Sequence, residues 1–159
     1  MLEDNKSPVG RGIESTSYHG TNVVSCKFVT RITQTPLVGA YLPPSTLEHL
    51  PDLEEALKRF KDPITLVDLN MDLDKARILW SQQMADLLSE YSLTDLVHHS
   101  RQCCMLRNLN TWSRVWQGTV LRSRCDYIIC IDQCLFNLIG IRDMRNLLSD
   151  HLTLRAQLL

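Results

Sequence analysis

The 159-residue sequence predicts one layered α/β domain. Three observations carry that expectation. Short runs rich in Val, Ile and Thr favour strands, two segments have the apolar spacing of helices, and turn residues separate them. The length suffices for one hydrophobic core. Apolar residues make up 44% and the formal net charge is −1, so no global basic field announces a polyanionic partner. A local patch can still steer one.

The elements follow in order. Residues 1–13 are polar and carry Pro8, Gly10 and Gly12, so they are expected to be flexible, with the domain spanning 14–159. Asn22 to Ile32 is strand-like. Thr33 to Pro36 reads as a turn, and Leu37 to Leu42 as a second strand forming a hairpin with the first, ended by Pro43 and Pro44. Pro51 to Phe60 reads as a helix. Pro51 suits the first turn, Asp52, Glu54 and Glu55 lie at its positive end, and Lys58 and Arg59 at its negative end. Leu53, Leu57 and Phe60 share one face. Ile64 to Val67 is a short apolar strand. Ile78 to Tyr91 reads as a second helix, with Trp80, Met84, Leu87, Leu88 and Tyr91 at helical spacing, and Leu93 to Val97 as a strand. Ser100 to Asn110 is polar, basic and irregular. Strand character returns from Thr111, most clearly over Arg124 to Ile131, and in the alternation of Leu152, Leu154 and Ala156 with polar neighbours.

No stretch reaches the roughly 18 apolar residues of a membrane helix, and the acidic start Met1-Leu2-Glu3-Asp4 lacks the apolar core of a secretory signal. Six cysteines without such a signal point to a reducing, intracellular compartment and free thiols. His98, His99, Cys103 and Cys104, with Cys125, Cys130 and Cys134, form no paired Cys-x-x-Cys steps, which favours ordinary thiols over zinc. Arg101, Arg107, Arg114, Arg122 and Arg124 cluster in the C-terminal third, as a phosphate-binding or merely solvated face. Trp112 and Trp116 read as core residues.

Four segments place residues of catalytic type at strand ends. Val67-Asp68-Leu69-Asn70 sets a carboxylate and an amide two positions apart, on one face of an extended chain, or in an Asx-turn that merely ends the strand. Ser149-Asp150-His151 sets a carboxylate beside an imidazole, which titrates near neutrality. Asp126, in Ser123-Arg124-Cys125-Asp126-Tyr127, needs a partner if buried, and His151 is a suitable one. Tyr41, in Tyr41-Leu42-Pro43, has a hydroxyl that suits an anion or simply reaches the surface.

Taken in order with Thr111-Trp112, these segments are similar to the second half of domains of the endonuclease/exonuclease/phosphatase superfamily, in particular the endonucleases of fungal non-LTR retrotransposons. The resemblance runs from Glu14 to Leu159. It implies a layered α/β sandwich, Mg²⁺ (sometimes Mn²⁺) as cofactor, DNA as partner, phosphodiester hydrolysis that nicks target DNA, and a nuclear site of action. Residue by residue it implies that Asp68 and Asn70 activate the attacking water, His151 contacts the scissile phosphate and Asp126 orients His151. Asp150 would belong to the metal and phosphate cluster, Tyr41 would bond the phosphate, and Thr111 and Ser149 would support the site. Two departures accompany it. Val67 stands where the family has a glycine, which is expected to shift Asp68. The family's N-terminal half, with an asparagine and a metal-binding glutamate, has no counterpart here. The expectation is therefore an incomplete active site with weak or no independent activity. Its completing partner would be that N-terminal half or a reverse transcriptase of a parent polyprotein. A phosphatase, a lipid phosphodiesterase and a non-catalytic remnant of the same fold are the alternatives.

Overall fold

The computed structural model describes residues 12–29, 33–44, 48–73, 79–96, 110–131, 136–142 and 150–158. A six-stranded sheet organises them. Its strands are β1 (Gly12–His19), β2 (Val23–Val29), β3 (Gln34–Tyr41), β4 (Ile64–Asp68), β5 (Thr94–Asp95) and β8 (Asp126–Cys130), arranged β1-β2-β3-β4-β8-β5. Only the β3–β4 pair is parallel, and helix α1 (Leu50–Lys58) lies in the crossover between them. The other pairs are antiparallel. Two further antiparallel pairs are β6 (Trp112–Trp116) with β7 (Thr119–Ser123), and β9 (Phe136–Arg142) with β10 (Thr153–Leu158).

The strand period decides what each face buries. Val23, Val38 and Val67 meet Leu53, Ala56 and Leu57 of α1 and Met84 and Leu87 of α2 (Leu79–Glu90) in the larger core. Ile64, Ile128 and Cys130 point to the opposite face, where Leu96 joins them and Ala156 of β10 packs against them. The result is helices, sheet and a small β layer, a mixed α/β sandwich.

Both helices, the β2–β3 hairpin and the strands β4, β5, β8 and β10 fall where the sequence places them, within a few residues. The turn expected over Thr33 to Pro36 is a correction, because β3 already begins at Gln34. Pro36 pairs with Lys27 of β2, while the ladder to β4 starts one residue later, at Leu37. Proline therefore sits where the chain lacks the second ladder that would require its N–H. The β6–β7 loop is Gln117-Gly118, both with positive φ (47° and 77°), the backbone that lets a two-residue loop follow the strand twist.

Candidate active site

Strand β4 ends at Asp68 and β8 begins at Asp126, and the antiparallel register sets these two residues directly opposite each other. Their faces match those of Ile64 and Ile128, away from the helices. The parallel register on the other side sets Tyr41 beside Asp68. Val67 does not disturb this arrangement. It pairs with Ala40 and Tyr127, and its side chain is buried in the helix-side core, so Asp68 leaves the strand in regular register on the opposite face. The expected shift of Asp68 is therefore corrected: the alternation gives a side chain at position 67 a place to go.

His151 comes from a third segment. It bridges to Trp112, and its neighbours are stitched to the same stretch, Ser113 N–H to Asp150 O at 3.1 Å and Leu152 N–H to Thr111 O at 2.6 Å. Thr111 is fully buried and its Oγ1 accepts from the N–H groups of both Cys125 and Asp126, at 3.0 and 3.1 Å. Leu69 N–H bonds Cys125 O and Leu42 N–H bonds Asp68 O, each at 2.8 Å. A line of hydrogen bonds thus runs from Leu42 through Asp68–Leu69, Cys125–Asp126 and Thr111 to Leu152. It fixes residues remote in sequence at the precision of a sheet.

On this frame His151 Nδ1–H donates to Asp126 Oδ2 at 2.9 Å. One ligand-type atom from each of Asp68, Asp126 and His151 lies within 4.8 Å of the others. Burial pulls the His151 imidazole toward neutrality, but the bond to Asp126 and the charges of Asp126, Asp68 and Asp150 outweigh it and raise its pKa. Asp68 lies above the ordinary carboxylate range, first because it is half-buried, then because Asp126 and Asp150 repel its charge. The N–H of Asn70 partly offsets this by donating to Asp68 Oδ1 at 2.9 Å.

Asn70 sits at φ 51°, a left-handed conformation that Asn tolerates better than most residues, and its Nδ2 donates to Leu42 O at 3.0 Å. It holds Asp68 from behind while its amide ties two site loops together. Asp150 lies beside the group but is turned: its Oδ2 accepts from Trp112 Nε1 at 2.7 Å, and its Oδ1 is 3.9 Å from His151 Nε2. Ser149 lies outside the described residues, as do His98, His99, Arg101, Cys103, Cys104, Arg107 and Cys134.

Two residues to which the sequence assigned no site role, Trp112 and Asp95, help to hold the site. Trp112, taken as core, is only partly buried and anchors Asp150 through its indole. Asp95 of β5 pairs with Arg124, which is 3% exposed and lies over the Tyr127 ring at 4.3 Å. Arg124 is therefore no phosphate ligand, which corrects its place in the basic cluster. Tyr127 in turn bonds Leu73 N–H, Met71 O and Arg124 O, and burial drives its hydroxyl far up. Trp116, also expected in the core, is 55% exposed on the β6–β7 hairpin, with the Arg114 guanidinium 5.7 Å from its ring. Val115, Val120 and Leu121 on the same hairpin are exposed as well, so the local sequence carries no signal that separates this indole from a buried one.

Comparison with solved structures places this architecture. The endonuclease domain of TRAS1, a telomere-specific non-LTR retrotransposon, superposes with a TM-score of 0.68 over 91% of this chain and 68% of its own, at 19% identity. The chain has the endonuclease/exonuclease/phosphatase fold. The same fold is seen in the 3′ phosphatase NExo from Neisseria, solved with a product DNA hairpin (TM-score 0.68, 12% identity, 93% of this chain and 72% of that one). It recurs in an endonuclease/exonuclease/phosphatase family protein from Leptotrichia buccalis (TM-score 0.66, 14% identity, 93% and 62%). No family profile and no curated protein matches the sequence. Within this fold Asp68, Asp126 and His151 stand together at one rim of the sheet.

Proposed function

We propose that the chain is the catalytic rim of a divalent-metal-dependent phosphodiesterase acting on DNA, of the retroelement endonuclease type. The observation that carries this reading is the convergence of Asp68, Asp126 and His151 from three separate segments, with the imidazole held by Asp126. A phosphodiester is anionic, and its hydrolysis needs charge neutralisation, an oriented water and a proton for the leaving oxygen.

The residues fit a hard cation. Asp68 is half-buried and directly opposite Asp126, and carboxylate oxygens of both come within 4.8 Å of a His151 ring nitrogen, a donor set that suits a divalent ion. When bound there, Mg²⁺ or Mn²⁺ would neutralise charge developing on the phosphate. Asp68 and Asp126 would hold the ion, and Asp68, steadied by the Asn70 N–H, would also orient the attacking water. His151, with Nδ1–H on Asp126, would donate from Nε2 to a phosphate or leaving oxygen, and its raised pKa favours the form able to do so. Tyr41, next to Asp68 in register and 46% exposed, would offer its hydroxyl to the phosphate. Thr111 would support the site through the backbone of Asp126. Asp150 would tune His151 from 3.9 Å, and Ser149 keeps only the supporting role that the resemblance implies.

Two carboxylates and an imidazole are a lean set for Mg²⁺, which favours about six oxygen ligands. Slow turnover by the isolated chain follows, with acceleration by a polypeptide that adds a carboxylate to the rim, such as an N-terminal half of the same fold. Such an element would act in the nucleus, where target DNA lies. The test is nicking of supercoiled plasmid at high protein concentration with Mg²⁺, Mn²⁺ or chelator, beside phosphomonoester and phospholipid substrates. Slow, metal-dependent nicking, reduced about 10²-fold or more in Asp68→Ala and in His151→Ala, is expected. Cleavage unaffected by both substitutions, or none with either metal, sinks the reading.

A further inference from the structure

A second surface of the fold has the chemistry of a ligand site and no part in the rim described above. Helix α1 is nine residues long, about 13 Å at 1.5 Å per residue, and it covers only part of the sheet. It stops at Lys58, and beyond it no described helix covers one row of the sheet, Ser15 of β1, Lys27 of β2 and Pro36 of β3. The chain leaving the helix, Arg59, Phe60 and Lys61, forms a wall beside this row. The cavity between them is about 500 Å³ and is also lined by Ser17.

Three cations thus face one hollow, and among the described residues no carboxylate lines it. Lys58, next in sequence, is taken up by Glu54, but Lys27, Arg59 and Lys61 make no ion pair among the described residues. The clustering is local, since the chain as a whole carries a net charge of −1. Beside the charges stand two hydroxyls, Ser15 and Ser17, and one aromatic side chain, Phe60. Cations and hydroxyls suit phosphate oxygens, an aromatic side chain suits a base, and the volume lies within the usual range for small-ligand sites.

We propose that this cavity binds a nucleotide phosphate with its base against Phe60, supplied as a free nucleotide or by a single strand. Its β3 residue Pro36 lies five residues from Tyr41, roughly 17 Å at about 3.3 Å per residue, and on the helix side of the sheet. The site is therefore separate from Asp68 and His151, and the proposal stands whether or not that rim is catalytic.

Calorimetry of the full chain in chelator tests it, with thymidine 5′-monophosphate, a 5′-phosphorylated pentathymidylate and inorganic phosphate as probes. The combined K27Q, R59Q and K61Q variant is expected to lose about tenfold or more in affinity for both thymidine ligands. Asp68→Asn with His151→Ala is expected to lose none. Phe60→Leu, which keeps an apolar side chain at that position, should weaken the nucleotide and leave inorganic phosphate unchanged. Tighter binding of the pentathymidylate, with a log–log salt slope of about −2 for three neutralised phosphates, assigns the site to a strand, and equal affinities assign it to a free nucleotide. The proposal is overturned if neither thymidine ligand binds, if the triple variant binds as well as the parent, or if inorganic phosphate binds as tightly as the nucleotide.

Discussion

Replacing Thr111 with valine tests how the site is held without requiring any turnover. The Thr111 oxygen is fully buried and accepts two backbone N–H groups, those of Cys125 and Asp126, at 3.0 and 3.1 Å. Valine keeps the volume, so no cavity opens, but both donors lose their acceptor. A buried donor left unsatisfied costs about 1–3 kcal/mol. Cys125 is buried and its N–H should bear the full cost, whereas Asp126 is half-buried and water can reach it. Together they predict a loss of about 2–4 kcal/mol. In urea, with a slope of about 1–3 kcal/mol per molar, the midpoint should fall by about 1–2 M. Thr111→Ser keeps the oxygen and removes one methyl, for a loss of about 1 kcal/mol. A second readout follows from Asp126, whose loosened backbone should weaken its grip on His151 and move the imidazole pKa back toward the ordinary value in an NMR titration. Two results refute the reasoning: valine within about 0.5 kcal/mol of the parent, the usual range of a neutral surface change, or serine as costly as valine.

Further expectations concern charge. The folded-state pKa of His151 is raised, so its ion pair with Asp126 contributes stability that is complete below about pH 6.5 and is lost as pH rises through the higher folded value; His151→Gln should flatten urea stability over that window. Asp68 is also raised, so it is most favourable to the fold when protonated and its contribution falls as pH rises from about 4 through its folded pKa; Asp68→Asn should stabilise the metal-free protein at pH 7 and abolish any rise in melting temperature on adding Mg²⁺. Asp95→Asn removes the carboxylate paired with the buried Arg124 and should cost roughly 3–5 kcal/mol in denaturant unfolding.

The sequence exposes the fold wherever one face is apolar and the other is not. Val23, Val38 and Val67 stand on the face that meets α1, whose own stripe of Leu53, Ala56 and Leu57 has helical spacing, so both periods can be read from composition alone. β1 is different. Apart from the buried His19 its described side chains are exposed or half-buried, so Gly12–His19 has no clean apolar alternation to display and is held by pairing with β2. The site divides along the same line. Asp68 and Asp126 are legible because each ends or begins a clear strand, but the strand pattern does not say that β4 and β8 are neighbours. That pairing joins segments nearly sixty residues apart and sets the two carboxylates opposite each other. The Ser-Arg-x-Asp-Tyr run shows what local reading misses. Its arginine faces Asp95 and the Tyr127 ring, its tyrosine ties the Met71–Leu73 loop to Arg124, and only its aspartate reaches the rim. Adjacent side chains on a strand point to opposite faces, so one short motif serves two surfaces: Asp126 toward the rim that meets solvent, Tyr127 toward the core that keeps the rim in place. Residue type tells which of these could do chemistry, whereas the fold alone decides which of them meets a substrate.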